Sequence, residues 1–245
     1  MGFPPIDSEV AGFESLSPRF STTFYPIMYS KYFILPVVLA ASALASPAVQ
    51  PETRQSCSAL QVLHLGGTDE QGLGVIGELL SKAIAKAIPG TTTYSVPYNT
   101  SAEYSVTVDE GVKLTTDHII AQASRCPKQK FVLSGYSKGA LVIHTMKPSS
   151  AVQSKVFSIL AYGDPSRNPR STGPRTWPIN SPSINLTPRK GNTGKQNIAS
   201  YCNAGDPVCE AGGTNGGAHV AYRTDGTPDD AAKFVKDQFR GQAGF

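Results

Sequence analysis

A serine hydroxyl becomes a useful nucleophile at neutral pH only when its surroundings supply a base, a group that orients the base, and donors for the oxyanion that forms. Gly135-Tyr136-Ser137-Lys138-Gly139 is the stretch that invites this chemistry. Residues of strand character, Phe131-Val132-Leu133-Ser134, run into it, and a helix-like run, Ala140-Leu141-Val142-Ile143-His144, leaves it. Strand, sharp turn and helix are the setting in which Gly-x-Ser-x-Gly lifts a serine clear of a sheet. The glycines at 135 and 139 are expected because a Cβ there would collide with the strand and the helix. The bare pentapeptide also suits a glycine- and serine-rich turn without chemistry, but the flanking elements favour a nucleophile at Ser137.

The base must be one of four histidines, His64, His118, His144 and His219. His64 lies within a strand pattern, and His118 lies on a helical stretch beside Ile119. His144 sits seven residues past Ser137 on the following helix, two turns up and out of reach. His219 follows the serine and falls in an expected loop, so it is the candidate base. Two aspartates lie between serine and histidine in the order Ser, acid, His that α/β-hydrolases use. Asp164 follows a strand in Gly163-Asp164-Pro165, and Asp206 lies within Cys202-Asn203-Ala204-Gly205-Asp206-Pro207-Val208-Cys209.

Three separated motifs, Gly-Tyr-Ser-Lys-Gly, the cysteine-bracketed aspartate loop, and a histidine thirteen residues after that aspartate, occur in one order. Together they resemble the fungal cutinases and cutinase-like esterases, over about residues 55 to 240. The resemblance implies Ser137 as nucleophile, His219 as base and Asp206, rather than Asp164, as orienting acid. It also implies an oxyanion hole built from the N–H of Lys138 and from the early loop Gly66-Gly67-Thr68-Asp69-Glu70. Thr68 matches the Ser or Thr whose N–H and hydroxyl the family uses; a one-residue shift would put Gly67 there and lose the hydroxyl. Lys138 departs from the family's usual Gln, which keeps the N–H and places a cation where it could alter substrate preference or pH profile.

Four cysteines, Cys57, Cys126, Cys202 and Cys209, allow three disulfide connectivities. Cys202 and Cys209 are close in sequence and bracket Asp206, so their pairing is the economical one, leaving Cys57 with Cys126. The cutinase pattern implies the same pairs. A zinc site is disfavoured, because cysteines seven apart lack the usual ligand spacing.

The elements that must position these groups alternate. Strands are expected at Leu60–Leu65, Thr92–Val96, Lys130–Leu133, Lys155–Tyr162 and Asn197–Tyr201. Leu73, Ile76, Leu80 and Ile84 recur at helical spacing before Pro89-Gly90, as do Val108, Val112, Ile119 and Ala123 before Cys126-Pro127. Thr227-Pro228-Asp229-Asp230 has the composition of a helix start. The alternation predicts an α/β fold, a parallel sheet of about five strands with helices on both faces. In the resemblance's terms this is a small α/β-hydrolase, a three-layer sandwich without a lid domain. Residues 165–195, rich in Pro, Ser, Asn, Arg and Gly, are expected as a long loop.

The chain has 245 residues, room for one such domain, expected at 57–245. Tyr32 to Ala45 is apolar, follows Lys31, and ends in Ala43-Leu44-Ala45. This reads as a secretory signal, too short for a membrane span, so residues 1–45 are a leader with signal and 46–56 a flexible lead-in. Met28 offers an alternative start to Met1. A secreted, extracellular monomer follows as the expectation, with sequons at Asn99 and Asn185. The net charge of +4 is small and unclustered, so neither nucleic acid nor a membrane span is expected as a partner. The expected partner is an ester substrate, polymeric cutin or acetylated polysaccharide, and no metal or organic cofactor is required.

The stretch before the histidine, Glu210-Ala211-Gly212-Gly213-Thr214-Asn215-Gly216-Gly217, is small and polar where cutinases place apolar residues. In that respect the chain is similar to the acetylxylan esterases, which usually carry more disulfides than four cysteines allow. A cutinase-like carboxylic ester hydrolase is the first expectation, a carbohydrate acetylesterase the second, and a secreted non-catalytic interaction protein the third.

Overall fold

A computed structural model describes residues 57–179, 183–186 and 196–242. The leader and signal expected at 1–45, the lead-in at 46–56 and the Asn185 side chain lie outside the described residues. The described chain runs β1 (Leu60–Leu65), α1 (Gly74–Ala87), β2 (Thr92–Ser95), α2 (Tyr104–Arg125) and β3 (Lys130–Tyr136). It continues through α3 (Lys138–Thr145), α4 (Ser150–Gln153), β4 (Val156–Tyr162) and β5 (Ser183–Leu186). The last elements are β6 (Ile198–Tyr201), α5 (Gly216–Val220) and α6 (Thr227–Gln242).

The strands form one sheet in the order β2-β1-β3-β4-β6-β5, every adjacent pair parallel. β1 and β4 are buried throughout, which is why they read as near-continuous apolar runs rather than alternating ones. The period of two still sorts their side chains. Leu60 and Val62 join Ile76, Leu80 and Ile84 of α1 and Phe234 and Val235 of α6 on one face. Leu63 and Leu65 join Val108 and Ile119 of α2 and Val142 and Ile143 of α3 on the other. The result is the expected three-layer sandwich.

All five expected strands are present. The sixth, β5, lies within the segment read as loop, and pairs with β6 at the sheet edge. Four residues in a proline- and serine-rich setting carry no periodicity long enough to mark a strand. The charge is also less evenly spread than the sequence suggested. A groove between α1 and α6 is lined by Lys86, Lys233, Lys236 and Arg240 against Asp229 and Asp237. No helix among the described residues is long and apolar enough to cross a membrane.

From β1 the chain steps outward to β2, then returns to β3 on the other side of β1 and continues to β4 and β6. The strand order therefore reverses between β1 and β3. In open parallel sheets the crevice beyond the carboxyl ends at such a point is where ligands bind. The loop after β1 and the turn after β3, both singled out from sequence, open there side by side.

The disulfides are Cys57–Cys126 and Cys202–Cys209. The first anchors the start of the domain to the end of α2; the second closes the loop that carries Asp206.

Candidate active site

β3 ends at Tyr136, and α3 begins at Lys138, so Ser137 alone makes the turn. Its backbone lies at φ 52°, ψ −113°, in a region that residues with a side chain rarely occupy. The surroundings over-determine that strain: the Ser137 N–H donates to Tyr162 O at 2.8 Å, and its carbonyl accepts from Ala140 N at 3.0 Å. The flanking glycines are needed as expected. A Cβ on Gly135 would reach the Gly139 carbonyl and Ala140 N at 2.6 Å, and one on Gly139 would land on the Leu65 carbonyl. Ser137 is left partly exposed, while its neighbours on both sides are buried.

The Asp206 carboxylate is fully buried and held by three donors. His219 Nδ1 lies 2.9 Å from Oδ2 and 3.0 Å from Oδ1, Tyr222 O–H donates to Oδ2 at 2.7 Å, and Val208 N–H to Oδ1 at 2.8 Å. Burial by itself would raise this carboxyl; the bonds from His219, Tyr222 and Val208 outweigh burial and hold it below the ordinary aspartate value. Because Nδ1 faces the carboxylate, it carries the proton, and Nε2 is left as the basic nitrogen. The Tyr136 ring stacks on His219 with centroids 5.0 Å apart, and its O–H donates to the His219 carbonyl at 2.9 Å. Gly163 makes room from below, since a Cβ there would meet the His219 ring at 2.6 Å. Among the described residues Ser137 and His219 make no direct hydrogen bond, a contact that often tightens only with substrate bound.

His219 was expected in a loop and instead lies in α5, a single helical turn. Gly-Gly-Ala-His-Val is too short and too glycine-rich for its sequence to announce a helix. Asp164, the rival acid, is committed elsewhere. Its Oδ2 pairs with His144 Nε2 at 2.8 Å, and its Oδ1 takes Ser166 N–H at 2.8 Å. His144 Nδ1 is held by Thr176 O at 2.8 Å. His64 is buried, bound to Ser134 Oγ at 2.8 Å, and pushed down to about 4 by desolvation. His118 bonds Gln61 and stacks on Tyr94. All three rings are thus bonded to residues other than Ser137.

The candidate oxyanion donors lie in the loop after β1 and at the start of α3, where a Cβ on Gly67 would come 3.5 Å from Ser137 Cβ. Lys138 N–H, at the first turn of α3, has no acceptor among the described residues. Thr68 N–H likewise has none, whereas Gly67 N–H is spent on Glu70 Oε2 at 2.8 Å. The one-residue shift to Gly67 is therefore disfavoured. The Thr68 hydroxyl pairs with Tyr104 O–H at 2.8 Å. The Lys138 side chain corrects an expectation. It is buried rather than presented to the site, with Nζ bonded to Asn99 O, Ser101 O and Thr107 Oγ1. It turns inward because those oxygens and the rings of Tyr98 and Tyr104 make a cation site behind the hole.

Cys202, Asp206 and Cys209 converge closely enough to suggest metal ligands. The two sulfurs are bonded to one another and the carboxylate is occupied by three donors, so this donor set does not fit a metal. Tyr222, Tyr104 and Glu70 were not found from sequence.

Fold and site together define a small α/β-hydrolase with a serine at its strand–helix elbow. The Cutinase family model matches residues 56–239. "Cutinase CUT1" of Coprinopsis cinerea is 34% identical over 204 residues, covering 80% of this chain and 92% of that protein. "Carboxylesterase Culp1" of Mycobacterium tuberculosis is 30% identical over 187 residues, covering 74% and 82%. The catalytic core domain of acetyl xylan esterase from Trichoderma reesei superposes with a TM-score of 0.60 at 22% identity, covering 75% of this chain and 100% of that one. The chain belongs to the cutinase family, and it is a carboxylic ester hydrolase.

Proposed function

We propose that the chain is a secreted serine esterase whose Ser137, His219 and Asp206 form the catalytic triad. The observation that carries this is the fully buried Asp206 carboxylate gripping His219 Nδ1, which fixes the tautomer that leaves Nε2 basic. Ser137 Oγ attacks the ester carbonyl as His219 Nε2 takes its proton. The oxyanion is met by the N–H groups of Lys138 and Thr68 and by the Thr68 hydroxyl. His219 returns the proton to the departing alkoxide, and an acyl-enzyme remains. Water, deprotonated by the same nitrogen, then releases the acid and restores Ser137. No step calls for a metal or organic cofactor. The two disulfides support export to an oxidising compartment.

For substrate, the first reading is an ester with an apolar acyl chain, from short p-nitrophenyl esters to cutin-type polyester. Val75, Tyr104, Val106 and Val220 are exposed; Tyr104 bonds the Thr68 hydroxyl, Val106 is two residues on, Val75 N–H is held by Glu70 of the Thr68 loop, and Val220 follows His219. An apolar rim of this kind suits acyl chains. The second reading, a carbohydrate acetylesterase, is favoured by the exposed, small and polar 210–217 segment. Hydrolysis of p-nitrophenyl esters from acetate to palmitate, beside acetate release from acetylated xylan, separates them. Activity at butyrate and beyond supports the first reading; activity confined to acetyl groups supports the second and overturns the first.

A further inference from the structure

The loop after β1 and the loop between β2 and α2 are joined by four hydrogen bonds. Tyr98 O–H donates to Gly66 O, and Asp69 N–H to Thr100 O at 2.9 Å. Thr100 O–H donates to Glu70 O at 2.7 Å, and Tyr104 O–H meets Thr68 Oγ1 at 2.8 Å. The position of the Thr68 lip therefore depends on where residues 98–104 stand. Asn99 N–H is held by Glu110 Oε2 at 3.0 Å, and the carbonyls of the same segment are held by the Lys138 side chain. Its ammonium has three N–H groups and finds three acceptors: Asn99 O at 3.1 Å, Ser101 O at 2.5 Å and Thr107 Oγ1 at 2.5 Å. Thr107 gives its own proton to Glu103 O, so its oxygen is fixed as an acceptor. The rings of Tyr98 and Tyr104 take the remaining faces of the cation, with centroids 5.4 and 5.1 Å away. Burial lowers the Lys138 pKa, and the charges of Asp69, Glu110 and Glu103 oppose that shift.

We propose that the Lys138 side chain is a positioning group for the oxyanion hole: beside the Lys138 N–H, which forms one lip directly, its ammonium sets the Thr68 lip through residues 98–104. The inference rests on the oxyanion assignment proposed above. Two carbonyl oxygens pointed at one spot repel each other unless a cation sits between them, so losing the charge loosens the 98–104 loop and, through its four bonds, Thr68. The deficit is felt in the transition state, where the oxyanion exists, and hardly in substrate binding.

The test is a double-mutant cycle of Lys138→Met with Thr68→Ala, reading kcat and KM on p-nitrophenyl butyrate and melting of each variant. Lys138→Met is expected to lower kcat about tenfold with KM changed less than about twofold. Thr68→Ala lowers kcat as well, and the Lys138→Met effect shrinks in the Thr68→Ala background. Wild-type kcat in Thr68→Ala overturns the hydroxyl's part in the oxyanion assignment. A slow Thr68→Ala beside a folded Lys138→Met of wild-type kcat overturns the present proposal alone, and two losses that simply multiply overturn its claim on the Thr68 hydroxyl. If Lys138→Met does not fold, Lys138→Gln, neutral but still a donor, takes its place in the cycle under the same criteria.

Discussion

The hydroxyls of Tyr104 and Thr68 share one hydrogen bond, and its direction decides what Thr68 can do. If Tyr104 donates, the Thr68 proton is free to point at the oxyanion. Tyr104→Phe removes that arrangement while keeping the ring over Lys138, and is expected to lower kcat about three- to tenfold with little change in KM. At Asp206 the expectation is larger. Asp206→Asn can no longer hold the Nδ1–H tautomer and should lower kcat on the order of 10⁴-fold. The same carboxyl links stability to pH. Its folded pKa lies below the unfolded value, so its contribution is fully present above the unfolded aspartate pKa near 4. The contribution is lost as pH falls through the lower folded value. Melting of the wild type followed from pH 6 to pH 2 should therefore fall more steeply below pH 4 than that of Asp206→Asn. At this scale the three residues proposed as a triad could be singled out because they carry spacing and bracketing cysteines. Tyr222, Tyr104 and the inward turn of Lys138 were not, because each depends on a neighbour from a distant part of the chain.

At the scale of elements, the elbow and the Asp206 loop are held by different means. The elbow depends on close backbone approach between α3 and the end of β1. A Cβ at Gly139 has no flexible side chain to displace there, only the Leu65 and Gly66 carbonyls. Gly139→Ala should destabilise the protein by several kcal/mol or prevent folding, measured by denaturant unfolding beside the wild type. The Asp206 loop is closed by a disulfide of sequence separation 7, whereas Cys57–Cys126 spans 69. Chain entropy assigns the longer closure about 4 kcal/mol and the shorter about 2 kcal/mol. Replacing Cys57 and Cys126 together by Ala should thus lower stability more, while replacing Cys202 and Cys209 should lower kcat more, because that loop carries the acid. Long elements with steady periodicity were readable, α1 at both ends and α2 at its end, although α2 starts at Tyr104, four residues before the first residue traced on it. β5 and α5 were not, since four or five residues cannot display a period and their conformations are set by β6 and by Asp206.

For the whole molecule, sheet topology explains why residues from β1, β3 and the chain beyond β6 can meet. The reversal between β1 and β3 opens a crevice that the Thr68 loop and the Ser137 elbow both enter. The alternation of strands and helices predicted a parallel sheet, but not the strand order, which is a long-range property without a local sequence mark. The same holds for the surface. Tyr104 and Thr68 are far apart in sequence, and only the fold brings their hydroxyls together. The charges of α1 and α6 are equally scattered, and form a groove only once the helices pack.

Everything proposed for the site depends on Ser137, at its strained elbow, being the nucleophile served by His219. A fluorophosphonate ester reports this directly, because it phosphonylates only an activated serine, and the modified peptide can be mapped by mass spectrometry. One adduct is expected, on Ser137, absent in Ser137→Ala and formed at least about 10³-fold more slowly in His219→Gln. An adduct on another residue, or a folded and disulfide-bonded wild type that does not react, would contradict it.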